Sequence, residues 1–259
     1  MSSGKKSNGG KRKPPKQGSN ARERARIAAQ QAAQRKKRRN YAIAIAAAFV
    51  LVIGAGVGIA AWRTYGNVSA GGGEFGEPWP AQQVEPGKPA TIGAADAPVT
   101  VTIYEDFLCP HCKTFNDEIS ETLNELQESG QVKIEYYMLT YLDAGGRTSS
   151  RQSSNAFACA MGEGFGEEYF HGLYENFGKA WNADQLIDLA NQVGEPSEGF
   201  AGCVNNLEHD AWTNANMQVA QQNGVQGTPS VFINGENQGQ EVGGWSADDL
   251  SNAVNQAKK

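Results

Sequence analysis

The stretch Asp106-Phe107-Leu108-Cys109-Pro110-His111-Cys112-Lys113-Thr114-Phe115 sets two cysteines three apart, with a proline and a histidine between them. Such a pair is half of a metal site, a structural staple or a working redox couple. Zinc asks for about four ligands, commonly drawn from two such pairs. The other cysteines, Cys159 and Cys203, lie far apart, and His111, His171 and His209 show no ligand spacing, so no metal site is expected. As a staple, a loop this short removes little entropy from the unfolded chain.

The flanking sequence favours the redox reading. Ala97 to Tyr104 is dense in β-branched residues and predicts a central strand starting after Pro98. Pro110 suits a first helical turn, where no N–H partner is needed. Phe115, Ile119, Leu123 and Leu126 then form one apolar helical face that ends near Gly130. Val132 to Leu139 predicts a second strand, so the unit is βαβ with a parallel pair. Cys109 therefore sits where a strand feeds a helix. Unsatisfied N–H groups and the positive end of the helix favour thiolate over thiol there. His111 adds donor capacity. Stabilising the thiolate stabilises the reduced pair, which makes the disulfide the stronger oxidant.

Downstream, apolar residues recur at helical spacing through about 147–223: Phe157 and Met161, then Phe170, Leu173, Tyr174 and Phe177, then Leu186, Leu189 and Val193. This predicts an insert of four to six helices. Gly227-Thr228-Pro229-Ser230 then leads into a strand at Val231–Ile233, a hairpin turn at Asn234-Gly235 and a last helix capped by Ser246. His171 and His209 read as ordinary helix residues.

The N-terminal part is a different object. Residues 1–40 carry fourteen Lys or Arg against one acid, Glu23, whereas residues 64–259 carry eight basic and 27 acidic side chains. Between them, Tyr41 to Trp62 is a run of 22 residues without a charge. As a helix it spans about 33 Å, enough for a bilayer core of about 30 Å. Arg35 to Arg39 precede it and Arg63 alone follows, so the basic tail should stay in the cytoplasm and the C-terminal part should lie outside. A cleaved signal peptide is the competing reading, with Val68-Ser69-Ala70 as a passable cleavage site, but the apolar run is longer than such peptides carry. The basic arm reads as a topology signal that also attracts anionic lipid, and no nucleic acid is expected as a partner. Residues 63–88, rich in Gly, Glu and Pro, read as a linker, and residues 89–259 as the outer domain.

Strand, Cys-Pro-His-Cys, helix, strand, helical insert and a Gly-Thr-Pro strand hairpin together resemble the DsbA family of thiol:disulfide oxidoreductases, over about residues 90–259. The tether and second cysteine pair resemble its Gram-positive actinobacterial forms. The resemblance implies a thioredoxin-like α/β fold with an α-helical insertion. It implies Cys109 as nucleophile, Cys112 as its buried partner, and Pro110 and His111 as tuners of the thiolate. Thr228 and a cis Pro229 would lie beside Cys109 and meet an extended substrate. It implies no organic cofactor and a monomer that oxidises unfolded secreted proteins with reduced cysteines. A membrane oxidase coupled to quinone would reoxidise the pair. An isomerase or reductase, and a non-catalytic peptide or metal-ion carrier, are the other readings. Outside the cytoplasm an even cysteine count suggests a Cys159–Cys203 staple within the insert, with two free buried thiols as the alternative.

One departure matters. Many thioredoxin-fold proteins hold a buried acid six residues before the first cysteine, and here that position is Ile103. Glu105 and Asp106 stand nearer the motif, at what reads as a solvated strand end.

Overall fold

The computed structural model describes residues 79–143 and 148–258. The expected cytoplasmic tail, the membrane-spanning helix at 41–62 and most of the linker lie outside the described residues. Among the described residues, no helix is long and apolar enough to cross a membrane.

A five-stranded sheet forms the centre. In chain order the strands are β1 (Ala90–Ile92), β2 (Val99–Glu105), β3 (Val132–Met138), β4 (Ser230–Ile233) and β5 (Glu236–Asn237). Their order across the sheet is β1-β3-β2-β4-β5. β2 and β3 run parallel, in register from Val99 opposite Val132 to Glu105 opposite Met138. The helix α1 (Pro110–Glu128) joins them and buries Phe115, Ile119 and Leu123, the apolar face read from the sequence. β1 pairs antiparallel with β3, and β4 antiparallel with β2. Strand alternation sends Val99, Val101, Ile103 and Glu105 to one face, all buried. On the other face Tyr104 stacks on Tyr137, with ring centroids 5.0 Å apart.

The helical segment between β3 and β4 consists of α2 (Ser149–Glu163), α3 (Gly166–Glu175), α4 (Ala183–Val193), α5 (Phe200–Asn206) and α6 (Asp210–Gln222). Its aromatic side chains merge with the sheet into one core. Phe107, just before the cysteine motif, lies within 5.7 Å of the rings of Phe157, Phe170 and Tyr174. The motif is thus anchored to the insert as well as to the sheet. Cys159 of α2 and Cys203 of α5 form a disulfide. The chain closes with a 3₁₀ turn at Glu241–Gly244 and α7 (Ala247–Ala257). Ser246 and Asp249 make a reciprocal capping box at the start of α7, as the sequence suggests.

The end of the expected linker behaves differently. Trp79 and Val84 are buried in the core. Trp79 stacks on Tyr136 with centroids 5.6 Å apart, and the Gln82 amide donates to the Met161 carbonyl at 2.7 Å. An indole finds more apolar area against the sheet and α3 than in solvent, so the segment from Trp79 onward is part of the domain. β1, three residues long, also has no counterpart in the sequence reading; three residues are too few to show an alternating pattern.

The disulfide closes a loop of about 45 residues, which the chain-entropy account values at about 4 kcal/mol. Replacing Cys159 and Cys203 together with Ala is expected to lower Tm by roughly 8–16 °C for a domain of this size. Scanning calorimetry of the oxidised proteins checks it, and an unchanged Tm contradicts it.

Candidate active site

The site is built where β2 ends. The Asp106 carbonyl accepts the Cys109 amide at 2.9 Å, closing a tight turn, and Cys109 becomes the N-cap of α1 with Pro110 in the first helical position. Cys109 and Cys112 stand as free thiols. They are three residues apart and occupy opposite environments. Cys109 keeps 6% of its surface and Cys112 none.

The electrostatics follow from that placement. The Cys109 thiol is pushed down to about 5, first by a hydrogen bond from the Cys112 side chain. Burial opposes this; hydrogen bonds from the Thr228 side chain and from the backbone N–H groups of Cys112 and His111 add to it. The open helix N-terminus therefore acts through the donors that the sequence placed there. Burial drives Cys112 the other way, well above its ordinary value, and the charges of Glu105 and Cys109 reinforce it. One sulfur holds charge and the other holds a proton.

The rest of the predicted site converges on Cys109. The Thr228–Pro229 bond is cis. In the thiol form, Cys109 donates to the Thr228 carbonyl at 3.2 Å. Pro110 and His111 are exposed. His111 acts on Cys109 through its backbone N–H, and no hydrogen bond links its imidazole to the sulfur. Gly243 of the 3₁₀ turn closes a further side: a Cβ there would stand 3.6 Å from the Pro229 ring and 3.7 Å from the His111 Cβ. The sequence reading assigns Gly243 no role. A groove lined by Gly224, Gln226, Gly227, Thr228, Pro229 and Gln240 opens next to the cis bond.

Both acids before the motif are buried, which corrects the expectation of a solvated strand end. The Asp106 Oδ1 accepts from the Leu108 amide at 2.9 Å and the Ser150 hydroxyl at 2.7 Å, and Oδ2 from the Leu142 amide at 3.0 Å. The Glu105 Oε1 accepts from Asn116 Nδ2 and Oε2 from the Tyr174 hydroxyl, each at 2.8 Å. Burial pushes the Glu105 carboxyl up to about 8; the Tyr174 and Asn116 hydrogen bonds pull back, and the Cys109 charge adds to the rise. Two of the covering groups, Ser150 and Tyr174, come from the insert, far along the chain, so a local reading sees only a strand running out. Elsewhere, His209 has a ring nitrogen near Cys159 and Cys203, the three ligand atoms lying within 4.8 Å of one another. The two sulfurs there are bonded to each other.

Comparison with known proteins agrees with this geometry. The family model described as Thioredoxin matches residues 85–255. The curated "Disulfide bond formation protein D" of Bacillus subtilis (strain 168) is 25% identical over 158 residues, covering 55% of this chain. The match covers 66% of that protein, so the chain spans just under two thirds of this relative. MdbA, a thiol-disulfide oxidoreductase from Corynebacterium diphtheriae, superposes with a TM-score of 0.57 at 20% identity, over 76% of this chain and 98% of that one. The reduced disulfide bond oxidoreductase DsbG from Mycobacterium tuberculosis gives 0.56 at 23% identity, over 67% and 88%. For these two structures the likeness is one of fold.

Two measurements check the electrostatics. Thiolate absorbance of the reduced protein is expected to titrate near pH 5. Cys112→Ala should raise that midpoint, because the largest stabilising hydrogen bond is lost, yet leave it below the ordinary value of about 8.5, because the helix N–H groups remain. Stability tests Glu105. Its folded pKa lies above the unfolded one, so its contribution is fully present below about pH 4.5 and is lost as pH rises through about 8. Glu105→Gln should therefore gain on wild type as pH rises through that window, by on the order of 5 kcal/mol at most. Denaturation of the oxidised proteins, in which Cys109 does not titrate, reads this; a pH-independent difference contradicts it.

Proposed function

The chain belongs to the thioredoxin family, its relatives are thiol-disulfide oxidoreductases of the DsbA type, and from that membership we propose that it is a membrane-tethered, extracytoplasmic oxidase of protein thiols. The observation that carries the reading is the asymmetry of the pair. Cys109 keeps a small exposed edge and is favoured as thiolate, while Cys112 is fully enclosed and favoured as thiol. A pair whose reduced form is stabilised in this way gives up its disulfide readily.

In the cycle, a substrate thiolate attacks Sγ of Cys109, the 109–112 bond breaks, and Cys112 takes the electron pair. A second substrate thiolate then attacks the substrate sulfur of the mixed disulfide. The substrate leaves as a disulfide, and Cys109 returns to the thiolate that the helix end favours. Thr228, whose carbonyl accepts from Cys109, and Pro229 line the groove, and in this reading an extended substrate backbone lies along them. The substrates are unfolded secreted proteins with reduced cysteines. Reoxidation falls to a membrane oxidase coupled to quinone. Residues 41–62 tether the enzyme, with residues 1–40 in the cytoplasm and the redox domain outside.

The equilibrium potential of the 109–112 pair against glutathione tests the direction. A value less negative than about −180 mV is expected for an oxidase, whereas one near about −270 mV, in the range of thioredoxin, would make the protein a reductase. In cells, Cys112→Ala should accumulate mixed disulfides with secreted proteins through Cys109. Cys109→Ala should accumulate none.

A further inference from the structure

The disulfide of the insert has a third group beside it. Cys159 lies in α2, Cys203 in α5, and His209 immediately precedes α6. The two sulfurs and one imidazole nitrogen lie within 4.8 Å of one another. We propose that, before this disulfide closes, Cys159, Cys203 and His209 form a binding site for a zinc ion, and that oxidation of the two cysteines releases the ion.

The chemistry of the donors comes first. The thiolate is the form of cysteine that binds a metal, so the closed disulfide is a poor ligand. Two thiolates and an imidazole make the soft sulfur–nitrogen set that suits zinc. A chain made in a reducing compartment carries both cysteines as thiols, so this state precedes the disulfide. With bonds of about 2.3 Å to sulfur and about 2.0 Å to nitrogen, the ligand atoms of a tetrahedral site stand roughly 3.6–3.8 Å apart. The Cα atoms of the two cysteines are 6.2 Å apart, so side-chain rotation can part the sulfurs that far. The imidazole then has at most about 1.2 Å to travel.

The three residues are tied together by one buried side chain. Asn155 of α2, fully buried, accepts the His209 amide on Oδ1 at 2.8 Å. Its Nδ2 donates to the Cys203 carbonyl at 3.3 Å and lies 3.8 Å from the Cys159 sulfur. That weak bond to sulfur strengthens when the sulfur is charged. Leu207 adopts a left-handed φ of 51°, and the turn it makes brings the Glu208 amide to the Cys203 carbonyl at 3.2 Å. His209 is thereby returned to α5. Outer partners of this kind orient metal ligands. Cys159 is buried, whereas Cys203 and His209 are half-buried, so the fourth position of the ion opens to water. The third ligand comes from another helix, 44 residues before Cys203, which is why no ligand spacing shows in the chain.

The steps balance. On binding, two thiols release two protons, two zinc–sulfur bonds and one zinc–nitrogen bond form, and the thiolates cancel the double charge of the ion. On oxidation by a disulfide, one cysteine sulfur attacks it and expels the first oxidant thiolate. The other cysteine sulfur then displaces the second. Two electrons pass from Cys159 and Cys203 to the oxidant, which leaves as two thiols after taking two protons from water. The zinc returns to solvent.

The full chain carrying Cys109→Ser and Cys112→Ser keeps Cys159 and Cys203 as its only thiols, so nothing measured on it depends on the redox activity proposed above. It is reduced with a phosphine, separated from it, and titrated with zinc against a chromogenic chelator. One zinc per reduced chain is expected, and none once glutathione disulfide has closed the pair. Cobalt in place of zinc should show the bands of a tetrahedral ion with sulfur-to-metal charge transfer. Asn155→Ala should weaken binding by about 10- to 100-fold, and His209→Ala by more than that. A cooperative thermal transition of the oxidised His209→Ala protein shows that the insert is packed. Independently of that variant, zinc should shift the imidazole NMR signals of His209 and leave those of His111 and His171 in place. Bound zinc should also slow closure of the pair by glutathione disulfide, and a chelator should restore the rate. Absence of stoichiometric binding by the reduced chain, equal binding by the oxidised chain, unshifted His209 signals, undiminished affinity in packed His209→Ala, or closure at the same rate with zinc bound overturns the site.

Discussion

Asp106 spends its whole carboxylate inside the protein. One oxygen holds the Leu108 amide and the Ser150 hydroxyl, and the other holds the Leu142 amide. Its own carbonyl takes the Cys109 amide. A single residue thereby joins the end of β2, the start of α1, the loop after β3 and the first turn of the insert. A buried carboxylate is costly unless its lone pairs are matched, and here they are matched by the local Leu108 amide, the Leu142 amide of the loop after β3 and the Ser150 hydroxyl of the insert. The insert thus contributes, through Ser150, to holding the turn that sets Cys109 on the helix end.

That constraint explains how two adjacent sulfurs come to differ so much. A strand that ends and a helix that begins within four residues leave no room for Cys109 anywhere but at the helix mouth. One helical turn later the chain has rotated inward, and Cys112 is buried in the same core as Ile103 and Phe115. The difference between the thiols is a matter of position along one helix rather than of added charges. Neither Lys nor Arg hydrogen-bonds to either sulfur among the described residues.

Much of this was readable from the chain. The β-branched run before Cys109, the apolar face of α1 and the aromatic spacing of the insert are local patterns, and local patterns survive in sequence. What escaped was non-local. Tyr174 covers Glu105 from 69 residues away, and Ser150 covers Asp106 from 44. Without those partners an acidic strand end looks like solvent. Trp79 escaped for a related reason: its Gly-rich surroundings read as linker, while its own bulk, set against Tyr136 and Phe170, decided otherwise. A lone tryptophan in a polar linker was the one hint.

The low pKa of Cys109 has a kinetic side. At neutral pH a thiol of pKa about 5 is ionised almost fully, about 30-fold more than one at about 8.5. Nucleophilicity, however, falls with basicity at a Brønsted slope of about 0.4–0.5, which takes back roughly the same factor. As an attacker, Cys109 is thus no faster than an ordinary cysteine. As a departing group it keeps the whole advantage, because expelling a weakly basic sulfur is easy. The helix end has tuned this cysteine to let go.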